Sequence, residues 1–589
     1  MRTIVRPVRN AEIASALDEL AVLYELDGAN RFRVLAYKDA AKIIREYPHS
    51  VGEMAVAGTA TEIDGIGDTL QTKIVALIDE GAIPAAVKLK EKYPATLVEV
   101  TKLPGIGSKT VRKMHDELGI TSIADLRDAA ELQRLRGVKG LGEKLEENVL
   151  ASIAKLEAEG PGERHLLSEV LEVGETLVAD LLADPASNQV VMAGSARRWA
   201  ETCKDIDIVA TADDPEALVE VLLGHELAEA AGGSGTGGGH IRTHTGIGVD
   251  LRIVPPAEFG NLLQHFTGSK EHNVKLRERA VKMGLSVSEH GIKEVESGEV
   301  ETFEDEAGVY ERLGLAYIEP ELRQGGGELA LADPKQDGVL PQLVEVSDIK
   351  GDLHMHTTLS DGEVELTDMI AAAKQLGYKY IALTDHSATH GFGNDVQPEA
   401  LLERVAQIHE LDAAAGTKGM KILAGTEVNV MPDGSPDYED EVLAELDWVV
   451  ASVHTSMRMN AEKMTQRIIA AIEHPLVDCI GHLTGRMLLK REPYDLNVEP
   501  IFEAAAANGT MIEINASPRR RDMNEHHARM AAAAGVLIPI NTDAHKLETL
   551  RGNMQYGVAT ARRAGLSTDQ IANTRPWRSF APLRKRTSA

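Results

Sequence analysis

The sequence predicts a multidomain chain with helical N-terminal domains, a central α+β domain and a C-terminal β/α barrel. Three observations lead there. Turns of the form Gly-apolar-Gly recur three times in the first 150 residues. Acidic residues alternate along a central run. From residue 348 onward, seven short apolar runs end in residues that can ligate a metal or stand beside one.

A chain of 589 residues has room for about three to five domains. It is 43% hydrophobic, enough for ordinary cores. Only Cys203 and Cys479 occur, too few for a disulfide framework, which points to a reducing compartment. MRTIVRPVRNAEIASALDEL has no continuous apolar core of a signal peptide. The longest apolar stretch, MAAAAGVLIPI, is too short to span a bilayer. A cytoplasmic monomer with no membrane partner is expected. The net charge of −30 argues against a nucleic-acid partner only in bulk: residues 1–160 hold 22 Lys and Arg against 25 Asp and Glu, so −27 falls on the remainder. Local patches decide binding, because fields are screened beyond about 10 Å at 0.1 M salt.

Residues 1–80 are read as a small helical domain and 81–160 as a second helical region. DGIGDTLQTKIVALI (64–78), LPGIGSKTVRKM (103–114) and VKGLGEKLEENVL (138–150) each place a glycine turn before a Lys-bearing helix. Such a turn offers free N–H groups and a helix dipole to a phosphate. The pattern resembles the helix-hairpin-helix motif, which grips the DNA backbone without reading bases. Gly65, Gly67, Gly105, Gly107, Lys109, Gly140 and Gly142 are the expected contacts.

In the central region (161–258), GSARRWAETCKDIDIVA (194–210) puts Asp205 and Asp207 on one face of a strand, and VDLRIV (249–254) adds Asp250. Three carboxylates from adjacent strands suit two Mg²⁺ or Mn²⁺ ions around a triphosphate. Gly194, Ser195 and Arg198 would cradle its phosphates.

These motifs, with HFTGSKEHNVKLR (265–277), resemble the nucleotidyltransferase palm of the family X DNA polymerases, the group that includes DNA polymerase beta. The resemblance implies a further polymerase subdomain over 259–320 and gap filling with dNTPs on gapped or nicked duplex. By motif, His265 and Phe266 face the incoming sugar, Gly268 belongs to the nucleotide site, and Asn273 and Arg277 touch the nascent pair and template; Arg252 is a further DNA contact. LAYKDAAKIIREYPHS (35–50) matches the family's lyase domain, with Lys73 at the nucleophile position. Some positions depart from the pattern. His265 replaces a Tyr, Trp199 and Lys204 replace small residues, GGSGTGGGH (232–240) is nearly uncharged, and Thr69 and Arg33 replace lysines.

A Gly/Pro-rich acidic linker (321–348) leads to the barrel (349–575), and PWRSFAPLRKRTSA closes the chain as a basic, solvated tail (576–589). The barrel runs are 348–356, 380–386, 421–428, 448–454, 477–482, 511–517 and 536–545, mostly separated by amphipathic stretches. Active sites of β/α barrels form at the C-terminal strand ends. There stand His354, His356, His386, Glu427, His454, His482, Asp543 and His545, with Asp361 one turn later. Imidazoles and carboxylates without thiolate suit Mn²⁺, Zn²⁺ or Fe²⁺. HxH, TDH, a lone Glu and DAH in this order resemble the PHP (polymerase and histidinol phosphatase) family. That likeness implies a distorted (β/α)7 barrel, up to three ions and phosphoester hydrolysis. Together the resemblances imply a bacterial repair polymerase whose barrel acts as a 3′-5′ exonuclease on 3′ ends, with abasic-site cleavage or 3′-phosphatase activity as further options. The alternative is a PHP nuclease or phosphatase whose polymerase half serves as a DNA-binding platform.

Overall fold

The computed structural model describes residues 8–585 except 9, 48–49, 102, 104–105, 139, 160–163, 234, 392 and 417–418. The chain divides into two compact units. One comprises Met1–His165, Glu172–Val191 and Lys204–Ile253, the other Leu166–Leu171, Met192–Cys203 and Val254–Ala589. Among the described residues no helix is long and apolar enough to cross a membrane.

The first unit opens with the helices Asn10–Leu26 and Arg31–Glu46, whose apolar stripes bury Ile13, Leu17, Ala40 and Ile44. Asn30 caps the second by accepting from the backbone N–H of Arg33 at 3.1 Å. The glycine turns then set the starts of the helices Asp68–Glu80, Ser108–Leu118 and Glu143–Glu159. A five-stranded sheet follows, in the order Ser187–Met192, Asp205–Ala212, Gly248–Ile253, Gly238–Thr243, Ala228–Gly232. In the nearly uncharged segment 232–240, Gly232 and His240 pair across its antiparallel hairpin, and residue 234 lies outside the described residues.

In the second unit, the helices Phe259–Thr267 and Lys270–Lys282 precede a three-stranded meander, Leu285–Ser288, Gly291–Glu294 and Val300–Glu301. The segment read as a linker is packed rather than loose. Its Arg323 is fully buried against Glu306, and Glu321 pairs with Arg562 at 2.7 Å. Charge partners far along the chain decided this, and local composition does not record them.

The barrel's parallel strands run Gly351–Asp352, Tyr380–Leu383, Lys421–Asn429, Trp448–Ser452, Cys479–Ile480 and Met511–Ile512. The strand Ile514–Asn515 pairs with Ile540–Asn541, and a parallel bridge between Met355 and Ala544 joins the last strand to the first. Period-two alternation orders the interior. His386 shares a face with Tyr380 and Ala382, Glu427 with Leu423, and His454 with Trp448 and Val450. Each column is apolar below and polar at the strand's C-terminal end.

The expectation of a solvated tail is corrected. Phe580 is fully buried, stacks on Tyr380 with ring centroids 4.7 Å apart, and closes the barrel's lower end beside Trp448. The Lys585 backbone N–H donates to Asp478 at 3.0 Å. Two aromatics outweigh the charge of their neighbours. Residues 586–589 lie outside the described residues.

Candidate metal centres and nucleic-acid contacts

The structure brings all nine proposed barrel ligands together. Three groups have ligand atoms within 4.8 Å of one another: His356, Asp361, His386 and His545; His354, His356 and Asp543; and His386, Glu427 and His454. His482 Nε2 joins them at 2.9 Å from Glu427 Oε1. Glu427 is the hub, since His386 Nδ1 lies 2.9 Å from Oε2 and His454 Nε2 3.3 Å from Oε1.

A metal is the physical explanation of this cluster. Among the described residues, His354 Nε2, both ring nitrogens of His356, both carboxylate oxygens of Glu427 and His482 Nδ1 are buried without a hydrogen bond. Orphaned polar atoms at such density are costly unless a cation meets them. Burial pushes His356 down to about 3, helped by His545 and His386. It pushes His454 down to about 4. Burial alone would raise Glu427, but His354, His454 and His386 hold it well below the usual carboxylate range. His356 and His454 are thus held neutral and Glu427 ionised, the states in which they can ligate a metal. Against their burial, neighbouring carboxylates raise His354 and His545.

Sequence reading missed a surrounding layer. Glu513 pairs with His354 Nδ1 at 2.9 Å and accepts from Asn541 at 2.9 Å. Asn515 donates to Asp543 at 3.0 Å, and Arg520 Nε stands 3.5 Å from the same carboxylate. The run 511–517 carried the signal for Glu513: alternation puts it on the face of buried Met511.

In the first unit's sheet, Asp207 stands directly across from Asp250 in the parallel pair, with Asp205 two residues earlier. All three are half-buried while Ile206, Ile208, Val249 and Leu251 pack on the other face. Arg252, two residues past Asp250, is exposed, and His240 pairs with Asp250 from the neighbouring antiparallel strand.

The second unit gathers the other nucleotide candidates. Gly194 takes φ +63° at the start of the turn Gly194–Arg197. Arg198 donates to the Thr267 carbonyl, and a Cβ on Gly268 would come 3.4 Å from its guanidinium. Asn273 donates to the His265 carbonyl at 2.8 Å and accepts from Gln264 at 2.8 Å. Burial lowers His265, with Glu289 3.8 Å away opposing, and Phe266 lies beside its ring at 5.8 Å. Arg277 is exposed on the helix Lys270–Lys282.

Among the glycine turns, Gly65 and Gly140 have φ of +86° and +87°. Gly67, Gly107 and Gly142 precede their helices at no such angle, and a Cβ on any of them meets nothing within 4 Å. The fold itself therefore leaves room for a larger residue at these three positions. Lys109 is exposed beside them; Gly105 lies outside the described residues. Lys73 is half-buried on Asp68–Glu80, and Arg33 donates to the Tyr24 hydroxyl at 2.8 Å while stacking 4.0 Å above its ring.

Comparison with known proteins decides the family. DNA polymerase/3′-5′ exonuclease PolX of Bacillus subtilis is 35% identical over 579 residues, 98% of this chain and 99% of that protein. The chain belongs to the family X DNA polymerases that carry a PHP domain. Family patterns agree along its length: a helix-hairpin-helix domain over 8–83, a SAM-like helix-hairpin-helix tandem over 97–155, the DNA polymerase beta thumb over 262–324 and a PHP domain over 352–517. Rat DNA polymerase lambda is 24% identical over 341 residues, 53% of this chain and 56% of its own. A protein of Thermoanaerobacter sp. named as a probable phosphatase is 32% identical over 243 residues, 38% of this chain and 89% of its own. Helix-hairpin-helix domains, a polymerase beta-like core and a C-terminal PHP domain therefore make up this family member.

Proposed function

We propose that the chain is a DNA-directed DNA polymerase that fills short gaps in repair and whose barrel is a 3′-5′ exonuclease. The observation that carries the polymerase half is the pairing of Asp207 with Asp250, with Asp205 on the same strand face. These carboxylates would hold two Mg²⁺ or Mn²⁺ ions, which supply charge neutralisation for in-line phosphoryl transfer. The Gly194–Ser195 turn and Arg198 would take triphosphate oxygens, His265 and Phe266 would face the sugar, and Asn273, Arg252 and Arg277 would meet the DNA. The helix-hairpin-helix glycines would hold the DNA backbone.

In the barrel, His354, His356, Asp361, His386, Glu427, His454, His482, Asp543 and His545 would hold Mn²⁺, Zn²⁺ or Fe²⁺, which supply Lewis acidity toward a phosphodiester. Arg520 would take a phosphate oxygen beside Asp543. Tethering to a DNA-gripping module raises the local concentration of 3′ ends over free monophosphates. Likeness to the Thermoanaerobacter protein favours monoester hydrolysis as the second reading of the barrel. Filling of a one-nucleotide gap with labelled dNTP, and digestion of a 3′-recessed end against a small phosphate monoester, test both halves.

A further inference from the structure

Three of the four residues that follow the Gly194–Arg197 turn, Arg198, Trp199 and Glu201, are gripped by the barrel. Arg563 donates to the Arg198 carbonyl at 2.8 Å, and Arg521 donates to the Trp199 carbonyl at 2.9 Å. The Trp199 ring meets Tyr556 edge-on with centroids 5.9 Å apart. Ala200 closes the turn on Ser195 at 3.0 Å, and the Glu201 carboxylate is forked by Arg486, one bond at 3.1 Å and a second shorter.

The turn needs such bracing. Trp199 has φ +54°, a left-handed backbone that is costly for a bulky side chain and persists only when its surroundings over-determine it. The arginines that brace it are themselves fixed. Arg521 is fully buried and donates to Thr560 at 2.9 Å, Arg563 donates to Glu525 at 2.6 Å, and Arg486 donates to the Arg521 carbonyl. Burial lowers Arg521 to about 10 against the pull of Glu201, so it stays charged at neutral pH. Planar guanidinium forks fix direction as well as distance. With the carbonyls of residues 198 and 199 held, the Arg198 side chain starts from a set point and reaches the Thr267 carbonyl. Arg197 pins the other side, at 2.7 Å from both Thr267 Oγ1 and Glu306.

We infer that Arg486, Arg521 and Arg563 of the barrel are positioning residues for nucleotide addition, holding the Gly194–Glu201 segment in its nucleotide-binding geometry. This rests on the reading that Arg198 takes triphosphate oxygens. It makes the barrel a structural part of the polymerase, through residues outside its own ligand cluster.

The test uses the full chain and steady-state filling of a one-nucleotide gap. Glu201→Arg, Arg486→Glu and the milder Glu201→Gln should each raise KM for dNTP by about tenfold with kcat changed less than threefold. The swapped double variant should recover most of the loss, and hydrolysis of 3′ ends should be unchanged throughout. Recovery in the swap is a result that general destabilisation does not give. Wild-type KM in the single variants, or a loss in kcat that the swap fails to restore, overturns the inference. Arg198→Ala separates the two claims. If it leaves KM unchanged, the phosphate reading falls and this inference with it. If it raises KM while the Glu201 and Arg486 variants do not, this inference alone is overturned.

Discussion

Glu513 Oε2 sits 2.9 Å from Nδ1 of His354, and both side chains are fully buried. The carboxylate fixes the ring so that Nε2 faces Glu427 Oε2 at 3.3 Å and Asp543 Oδ1 at 3.8 Å. Such an outer partner orients a metal-binding imidazole and raises its basicity.

Glu513→Gln should therefore weaken metal binding by about 10- to 100-fold while keeping the volume of the side chain. Manganese titration of 3′-end hydrolysis measures it. Gap filling should be unchanged. An unshifted titration would show that Glu513 has no part in the centre.

Metal should also stabilise the barrel. Mn²⁺ at about 100 times its Kd adds roughly 2.7 kcal/mol to a state that binds it only when folded. Thermal unfolding with and without Mn²⁺ reads this directly, and His356→Ala should largely abolish the rise. A rise that persists in that variant would place the ion elsewhere.

The helix-hairpin-helix turns make a prediction about space. A Cβ at Gly67, Gly107 or Gly142 meets nothing within 4 Å, whereas one at Gly65 would fall 2.4 Å from Ile43 Cδ1. Gly107→Val with Gly142→Val should leave thermal stability near wild type. Binding to gapped duplex should weaken about tenfold or more, since one hydrogen bond to a charged oxygen is worth ~1.5–3 kcal/mol. The salt slope should barely change, because the lost donors are uncharged N–H groups. Fluorescence anisotropy on two unrelated sequences checks it; a sequence-dependent loss would mean the turns read bases.

What the sequence made legible follows from where each signal is stored. Eight of the nine barrel candidates ended apolar runs, so strand periodicity alone set them at one end of the sheet, and Asp361 lies in the loop after the first run. Asp205, Asp207 and Asp250 were legible for the same reason, since alternation and strand pairing are local rules. Glu513 sits inside such a run but was hidden by its position between two isoleucines. The bracing of Trp199 could not be read at all, because Arg521 and Arg563 approach it from more than 300 residues away. Phe580 was misjudged because basic neighbours suggested a solvated tail, while its partners Tyr380 and Trp448 lie far upstream.

The central claim is that one chain carries two separable phosphoryl-transfer centres. The direct measurement follows a 5′-labelled primer in one-nucleotide-gapped DNA, comparing wild type, Asp205→Ala with Asp207→Ala, and Asp543→Ala. With dNTP and Mg²⁺, wild type and Asp543→Ala should add one nucleotide. The double Asp variant should lose more than about 100-fold, as removing ligands from a two-metal clamp costs roughly 3 kcal/mol or more. Without dNTP and with Mn²⁺, wild type and the double Asp variant should shorten the primer, and Asp543→Ala should not. Extension within tenfold of wild type in the double variant, or undiminished shortening in Asp543→Ala, would contradict the account.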